Sequence, residues 1–315
     1  MNEMLLEVRG LTVDYATAQG PLRAVDGVSF ALAAGQSLGL VGESGCGKSS
    51  LARALLRLEQ ASGTVRFAGL DWLALAGGAL RAERRRLGVV FQDPQGSLDP
   101  RATVLEAIGE PLAIHEPGLD RSARRARVIE ALARVGLEGA ALDGHPHQFS
   151  GGQCQRLAIA RATIVAPQLL VCDEAVSALD LAVKLEVLEL LARLRRELGM
   201  AVLFISHDLG AVRLLCEQVL VMYAGRIVEA LPTASLRRAA HPYTRALLAA
   251  VPPADPARAR GRPAPLGEPP SLHRRPPGCA FAPRCPHRIE RCERERPELR
   301  ELSGHTVACH RAGEV

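Results

Sequence analysis

The sequence has no long hydrophobic run, and no signal segment at its start. Its apolar stretches are short and are interrupted by Arg or Glu, so no segment is predicted to span a membrane as a helix. The first ten residues, MNEMLLEVRG, lack a basic region followed by an apolar one, which is the pattern that directs secretion. Together the two features predict a cytoplasmic protein.

Lysine is almost absent as well. Only Lys48 and Lys184 are lysines among the 39 basic residues, and the net charge is +5. The many arginines are interleaved with Glu and Asp on predicted helices, so the charge pattern does not indicate a nucleic-acid surface, and no nucleic-acid partner is expected. Lys48 stands out, because a compact ammonium on a flexible stem fits sites that planar guanidinium does not.

Length and composition are ordinary for a folded chain. The 315 residues are 48% apolar and 23% charged, which suffices for a sizeable core and for two domains. Alternating apolar and polar residues over 4–41 predict strands. Continuous apolar runs in QLLVCDE and MAVLFISHD predict buried parallel strands. The sequence predicts a helix over Leu185–Leu198, a hairpin that turns at Ala224–Gly225, and only helices between about 95 and 165. This order indicates an α/β core with a helical insert.

The motif GESGCGKSS follows a predicted strand and precedes a predicted helix. Glycines at Gly42, Gly45 and Gly47 let backbone N–H groups point at phosphate oxygens, and the helix adds its positive end. Lys48 would reach the β- and γ-phosphates, and the Ser49 hydroxyl would bind Mg²⁺. A glycine-rich turn without function is the alternative, but it does not account for the complete match in this context. The motif predicts a nucleotide site.

Acidic residues end the strand predicted at LLVCDE. Asp173 and Glu174 are adjacent, and neighbouring strand residues point to opposite sides, so the two carboxylates cannot perform the same task. Asp173 would belong to the Mg²⁺ shell, and Glu174 would polarise the attacking water. Acidic residues at a strand end that only face solvent are the alternative. The phosphate-loop motif upstream favours the catalytic interpretation.

Two further polar residues follow predicted strands. His207, in FISHD, ends the last core strand, where it would reach a γ-phosphate at the carboxyl edge of the sheet. Gln92, in VVFQDP, could contact Mg²⁺ or water. The simpler interpretation of His207 is a hydrogen-bonded surface histidine, and that of Gln92 is a loop residue. The nucleotide motif favours a function for His207, whereas Gln92 taken by itself is interpreted as a loop residue.

A second glycine-rich loop, FSGGQ, lies about a hundred residues beyond the first. Taken in order, GESGCGKSS, Gln92, FSGGQ, LLVCDE, SALD and His207 resemble the ATP-binding-cassette (ABC) ATPases over residues ~5 to ~232. The resemblance implies a P-loop NTPase core with an N-terminal antiparallel β subdomain. It also implies that two cassettes dock head to tail, so that SGGQ of one chain closes over the γ-phosphate bound by the other. A helix N-terminus there would supply backbone donors and partial positive charge.

The same resemblance assigns individual residues, with ATP and Mg²⁺ as cofactors. It implies adenine stacking on Tyr15, an interface carboxylate at Asp180 and a membrane-partner contact near Gln92; a half-buried strand tyrosine is the alternative for Tyr15. The predicted catalytic residues are Glu174, His207 and Gln92, and the predicted Mg²⁺ ligands are Ser49, Gln92 and Asp173. The predicted nucleotide-binding residues are Tyr15, Gly42, Ser44, Gly45, Cys46, Gly47, Lys48, Ser49, Ser50, Ser150, Gly151, Gly152, Gln153 and Asp180.

The last quarter of the sequence resembles one particular group of ABC ATPases. HPYTRALLAAVP, LGEPPS and the cysteine-containing tail are similar to the C-terminal region of ATP-binding subunits of oligopeptide and dipeptide importers, a group that includes nickel and glutathione importers. This implies an ATPase subunit at the cytoplasmic face of the membrane, beneath two permeases. A second cassette, a sister subunit or an identical one, and an extracytoplasmic binding protein complete the expected assembly. A non-transport ABC ATPase and a non-hydrolysing scaffold are the alternatives.

The predicted domains follow from this division of the sequence. An ABC nucleotide-binding domain covers 1–232, a helix with a Pro- and Arg-rich linker covers 233–277, and a cysteine module covers 278–315. The four tail cysteines have the spacing C-x5-C-x6-C-x16-C (Cys279, Cys285, Cys292 and Cys309). Disulfides are not expected in the cytoplasm. A 4Fe–4S cluster, which is known in some importers of this kind, fits the count, while zinc and free thiols stay open.

Overall fold

A computed structural model describes residues 4–139, 141–250, 267–268 and 270–314. The strands are β1 Met4–Thr17, β2 Gly20–Ala33, β3 Ser37–Val41, β4 Ser62–Phe67, β5 Leu70–Asp71, β6 Leu87–Val90, β7 Leu169–Asp173, β8 Ala201–Ser206, β9 Gln218–Tyr223, β10 Arg226–Pro232, β11 Arg300–Leu302 and β12 His305–Val307. The helices are α1 Lys48–Leu55, α2 Gly77–Arg84, α3 Val104–His115, α4 Arg121–Arg134, α5 Gly151–Thr163, α6 Leu181–Leu198, α7 Leu209–Leu215, α8 Pro242–Ala250 and α9 Glu290–Arg294.

The chain folds into two compact units, each assembled from separated parts of the sequence. The unit called here the helical unit contains Ala33–Ser37 and Ala74–Ile205, and the loop unit contains Met4–Leu32, Leu38–Leu73 and Ser206–Val315. The predicted boundaries at 232/233 and 277/278 stay predictions. Much of the Pro- and Arg-rich linker predicted within 233–277 lies outside the described residues.

The helical unit contains parallel strands and the predicted helical insert. Its strands lie in the order β8-β7-β6, and every residue of β7 and β8 is buried, as expected for strands covered on both faces. Helices α3, α4 and α5 pack on one another. Side-chain caps begin α3 at Thr103 and α4 at Asp120. Because Asp180 caps α6, this helix begins four residues before the predicted Leu185.

The loop unit contains two groups of strands. The antiparallel sheet has the order β2-β1-β4-β5, and the second group has the order β11-β12-β10-β9-β3. Strands β3 and β9 are parallel, and the β9–β10 hairpin turns at Ala224 and Gly225 with φ of 46° and 83°, the positive values that a tight hairpin turn requires. Strand β12 pairs with β10, so the C-terminal tail extends the sheet. The sequence analysis did not predict β11 or β12.

Among the described residues, no helix combines the length and the hydropathy that a membrane span requires.

Candidate nucleotide-binding site

The phosphate-loop motif forms a tight turn between β3 and α1 in the loop unit. A Cβ added at Gly42 would lie 2.2 Å from the carbonyl oxygen of Met222, and one at Gly47 would lie 2.3 Å from that of Ala24. Gly47 also has a φ of 107°, whereas Gly45, with a φ of 76°, faces open space. The backbone at Gly42 and Gly47 therefore packs too closely against neighbouring carbonyls for any side chain, so only glycine fits at these two positions.

Lys48 occupies the inside of this turn. It is 4% exposed, and its Nζ donates to the carbonyl oxygens of Gly42, at 2.8 Å, and Glu43, at 3.0 Å. An ammonium held over the loop backbone lies where the loop is expected to receive the β- and γ-phosphates. The role of Lys48 in binding the phosphates stays a prediction.

The other predicted residues of this unit lie in the motif itself, on β1 and after β8. Ser44 and Gly45 are exposed, Ser49 and Ser50 are half-buried, and Cys46 is buried. Burial raises the pKa of the Cys46 thiol, so Cys46 packs as a neutral side chain. The Tyr15 hydroxyl donates to Ser50 Oγ at 3.2 Å, which places the predicted adenine-stacking ring beside the first turn of α1. Exposed His207 follows β8.

Replacing Gly47 or Gly45 with Ala should have different effects on ATP binding. Gly47→Ala should weaken ATP binding by at least about tenfold, or about 1.4 kcal/mol, because the added Cβ meets Ala24 backbone that cannot move aside cheaply. A Cβ at Gly45 meets no neighbouring protein atom, so Gly45→Ala should lose less ATP affinity than Gly47→Ala, with a backbone cost of roughly 1–2 kcal/mol in stability. Calorimetric titration with MgATP checks both variants. Equal affinities for the two would contradict the assignment.

The acidic residues lie at the carboxyl end of β7 in the helical unit. Asp173, 8% exposed, is the last residue of the strand. Glu174 has a φ of 50°, a left-handed conformation that is unusual for a residue other than glycine and that clusters at functional sites. Its N–H donates to the carbonyl of Ile205 at 2.9 Å, which holds this conformation. Gln92 is exposed two residues beyond β6, the parallel neighbour of β7, so it lies at the same edge.

The SGGQ loop begins α5 of the helical unit. Ser150 Oγ accepts from the Gln153 N–H at 3.3 Å, and Gln153 Oε1 accepts from the Ser150 N–H at 2.9 Å, a capping box that fixes the first turn. Ser150, Gly151 and Gln153 are exposed. A Cβ at Gly152 would lie 2.7 Å from the Val183 side chain on α6. The loop is therefore a rigid, exposed helix N-terminus.

Asp180 also caps a helix, since its Oδ1 accepts from the Val183 N–H at 3.0 Å. The carboxylate is exposed. This cap was not part of the sequence prediction, although Asp before a helical periodicity is a recognisable signal for one.

The sequence analysis missed two residues that contact Glu43 of the phosphate loop, Tyr243 and Arg284. The Glu43 N–H donates to the Tyr243 hydroxyl at 2.9 Å, and the Glu43 carboxylate accepts from Arg284. The signal for Tyr243 was its place in the HPY stretch, whose function the sequence did not reveal. Arg284, one of many arginines, has no sequence signal at all.

The four tail cysteines line one small cavity, together with His241 and Phe281. Burial raises the pKa of Cys279 to about 11 and also raises the pKa of Cys285 and Cys309. However, in the part of the chain that the structure describes, no group of three or more His, Cys, Asp or Glu side chains is arranged to hold a metal ion. The four cysteines share this cavity, but the described residues give the predicted 4Fe–4S cluster no preformed metal-binding group.

Sequence comparison places these features in a family. Residues 25–177 match the model of the ABC transporter family, and residues 228–292 match that of the oligopeptide/dipeptide transporter C-terminal region. Over 320 residues the chain is 47% identical to the "Probable peptide ABC transporter ATP-binding protein y4tS" of Sinorhizobium fredii, covering 98% of this chain and 90% of that protein. The chain belongs to the ABC transporter family of ATP-binding proteins. The cassette is also 43% identical to the oligopeptide transport ATP-binding protein OppF of Salmonella typhimurium, covering 98% of this chain and 96% of that one.

Solved ABC cassettes share the fold. The ATP-binding cassette MJ0796, solved as a dimer in a post-hydrolysis state bound to ADP and Pi, has a TM-score of 0.67 and 28% identity, covering 72% of this chain and 98% of its own. CbiO1 of Clostridium perfringens, part of the ABC transporter complex cbiONQ, has a TM-score of 0.66 and 27% identity, covering 75% and 91%. The predicted α/β ABC ATPase fold is confirmed, and the cassette is an ATPase.

Proposed function

We propose that the cassette is the ATP-hydrolysing subunit of an importer for dipeptides or oligopeptides. The observation that carries this proposal is the similarity to peptide-transport ATP-binding proteins over 98% of the chain, tail included. The tail match over 228–292 supports the same class. Nickel, glutathione or another small solute of the same importer group is the second candidate for the substrate.

The proposed assembly contains two permeases, a second cassette that is either a sister subunit or an identical one, and an extracytoplasmic binding protein. The cassette would lie at the cytoplasmic face of the membrane. ATP binding would draw two cassettes together, and hydrolysis would release them. The exposed N-terminus of α5 supports this arrangement, since its first N–H groups lack intrahelical acceptors and favour an anion.

The proposed roles follow the positions of the side chains within each unit. The loop backbone and Lys48 bind the phosphates, and Tyr15 stacks on adenine. Ser49, Asp173 and Gln92 would supply oxygen ligands of the kind that Mg²⁺ takes, and the ion would neutralise charge on the phosphates. Glu174 orients and polarises the attacking water, and His207 contacts the γ-phosphate. Asp180 would face the partner cassette.

Transport in a reconstituted system tests this function. The cassette would be placed in proteoliposomes with two permeases, a binding protein and a second cassette, and uptake of labelled peptides would be compared with uptake of nickel and glutathione. ATP-dependent uptake of peptides supports the proposal. ATP hydrolysis that is coupled only to nickel or glutathione uptake selects the second candidate, and the absence of any association with the permeases contradicts both.

Ser150→Asp tests whether the SGGQ loop faces a partner's γ-phosphate. Asp caps helices as well as Ser does, so α5 should form, but a carboxylate would then oppose the phosphate. ATP hydrolysis should fall at least about tenfold, or about 1.4 kcal/mol in the barrier, while the ATP affinity of the single subunit stays unchanged. Steady-state turnover and titration at low protein concentration measure the two quantities.

Ser150→Asn is the matched control, because Asn retains the cap without adding charge. Its loss of hydrolysis should be smaller than that of the Asp variant. Equal turnover in the wild type and in Ser150→Asp would remove the proposed role of the loop.

We further propose that the four tail cysteines hold a 4Fe–4S cluster. Support comes from their number and from the cavity they share, since four thiolates suit such a cluster. The described residues contain no preformed metal-binding group, so the thiols would have to move when the cluster binds. Anaerobic purification followed by iron, sulfide and zinc analysis tests the proposal. Cys285→Ser should lose the metal, and Cys216→Ser, outside the cavity, should keep it. A protein that contains zinc or no metal contradicts the proposal.

A further inference from the structure

A residue of the C-terminal tail makes a direct ion pair with the phosphate loop. Arg284 Nη1 donates to Glu43 Oε2 at 2.7 Å, and Nη2 donates to Glu43 Oε1 at 2.9 Å. The side chains are 6% and 24% exposed, respectively. The paired geometry is the strongest form of an arginine–carboxylate contact, and its burial distinguishes it from the surface pairs of the tail, such as Arg291 with Glu295 at 61% and 57% exposure.

Arg284 is held in place by the elements around it. It ends the short 3-10 turn Ala282–Arg284, and its Nη1 also donates to the Tyr223 hydroxyl at 3.2 Å. Its guanidinium carbon lies 5.8 Å from the ring centres of both Tyr223 and Phe281. These two rings meet edge to face at 5.4 Å. The guanidinium therefore has little freedom to follow Glu43 if the loop shifts, so the tail determines where the carboxylate lies.

Glu43 connects the contacts of the tail to the predicted nucleotide site. Its carboxylate binds Arg284, its N–H donates to the Tyr243 hydroxyl at 2.9 Å, and its carbonyl accepts from Lys48 Nζ at 3.0 Å. Tyr243 packs on Tyr223 at 4.5 Å and on Phe281 at 5.4 Å. A displacement of Glu43 would thus move the carbonyl that holds the phosphate-binding ammonium. Without Arg284, the Glu43 carboxylate would also lie in the phosphate loop without its guanidinium partner.

We propose that Arg284 is a positioning residue for the phosphate loop, acting through Glu43 on the backbone that binds the nucleotide phosphates and orients Lys48. The tail is thereby a part of the ATP site of its own chain. The coupling is reciprocal, as for any two linked equilibria, so that nucleotide binding stabilises the tail to the same extent that the tail favours nucleotide binding. This proposal depends on ATP binding and is independent of the imported substrate.

Calorimetric titration of the full-length chain with MgATP tests the proposal. Arg284→Met, which keeps the length of the stem and removes the donors, should raise Kd about tenfold, or about 1.4 kcal/mol. Arg284→Lys keeps the charge and loses the paired geometry, so its Kd should be intermediate. KM should rise in Arg284→Met while kcat stays unchanged, because the residue acts on binding. Arg291→Met, in an exposed tail pair, should leave Kd within about twofold, as expected for surface pairs.

A double-mutant cycle with Glu43→Gln separates positioning from a general loss of stability. If the two side chains act through one contact, Arg284→Met with Glu43→Gln should bind ATP no more weakly than Arg284→Met alone. If the increase in Kd of the double variant equals the product of the increases in the two single variants, the proposal is overturned. A lower melting temperature with wild-type Kd in Arg284→Met would overturn it as well. Should Arg284→Met fail to fold, Arg284→Lys and Glu43→Gln, with their own double variant, decide in the same way.

Discussion

Replacing Glu174 with Gln is expected to slow ATP hydrolysis by about 10²- to 10⁴-fold, the usual contribution of a positioned general base. The amide has the shape of the carboxylate but cannot take the proton or polarise the water. ATP affinity should be retained, because the phosphate loop is unchanged. The variant should therefore accumulate as an ATP-bound pair of cassettes. Phosphate release under single-turnover conditions and size-exclusion chromatography with MgATP measure the two effects.

Glu186→Gln is a suitable control for this experiment. Glu186 is a carboxylate of the same unit, and its exposed side chain pairs with Arg156 at 2.7 Å. Its loss should change hydrolysis little, because Glu186 is 60% exposed and has no role in the proposed ATP site; its partner Arg156 is 20% exposed. Hydrolysis at the wild-type rate in Glu174→Gln would refute the role proposed for Glu174. The φ of 50° at this position would then need another explanation.

Lys48→Ala is expected to weaken ATP binding by about 100-fold or more, because charge-assisted hydrogen bonds to the phosphates are worth about 1.5–3 kcal/mol each. The variant also loses the two hydrogen bonds from Nζ to the loop carbonyls. Lys48→Arg should bind ATP poorly too, since a larger planar group must enter a position where the lysine is only 4% exposed. Calorimetric titration with MgATP checks both variants.

Lys184→Ala removes the other lysine of the chain and is the control for Lys48. Lys184 lies in the first turn of α6, in the helical unit, and its replacement should leave the affinity of the single subunit for ATP within about twofold. Retained affinity in Lys48→Ala would contradict the assigned role. Strong binding by Lys48→Arg alone would show that charge suffices and that the compact ammonium is unnecessary.

The phosphate loop and the SGGQ loop were predictable because each is a run of adjacent residues whose backbone conformation is determined locally. Glycine spacing between a strand and a helix is a backbone requirement, and the structure shows its cause in the close approach of Gly42 and Gly47 to neighbouring carbonyls. The buried strands β7 and β8 were equally evident from continuous apolar runs. Similarity to known cassettes extended these local signals to a family and its fold.

Contacts between distant parts of the sequence were not predictable in the same way. Arg284 and Glu43 are separated by 241 residues, and neither hydrophobic periodicity nor a motif relates them. Strands β11 and β12 are three residues each, too short for an alternating pattern to be recognised. The convergence of the tail cysteines on one cavity depends equally on how the tail folds back.

The sequence by itself determined the ATP chemistry, the α/β class with its helical insert and the kinship with peptide importers, because these reside in short patterns whose geometry is local. Only the tertiary structure decided that the tail joins the β10 edge through β12 and reaches the phosphate loop through Arg284. The physical reason is that a buried ion pair or a pairing at a sheet edge forms between residues that the folded chain brings together. Such residues can be far apart in the sequence, and no local pattern identifies them.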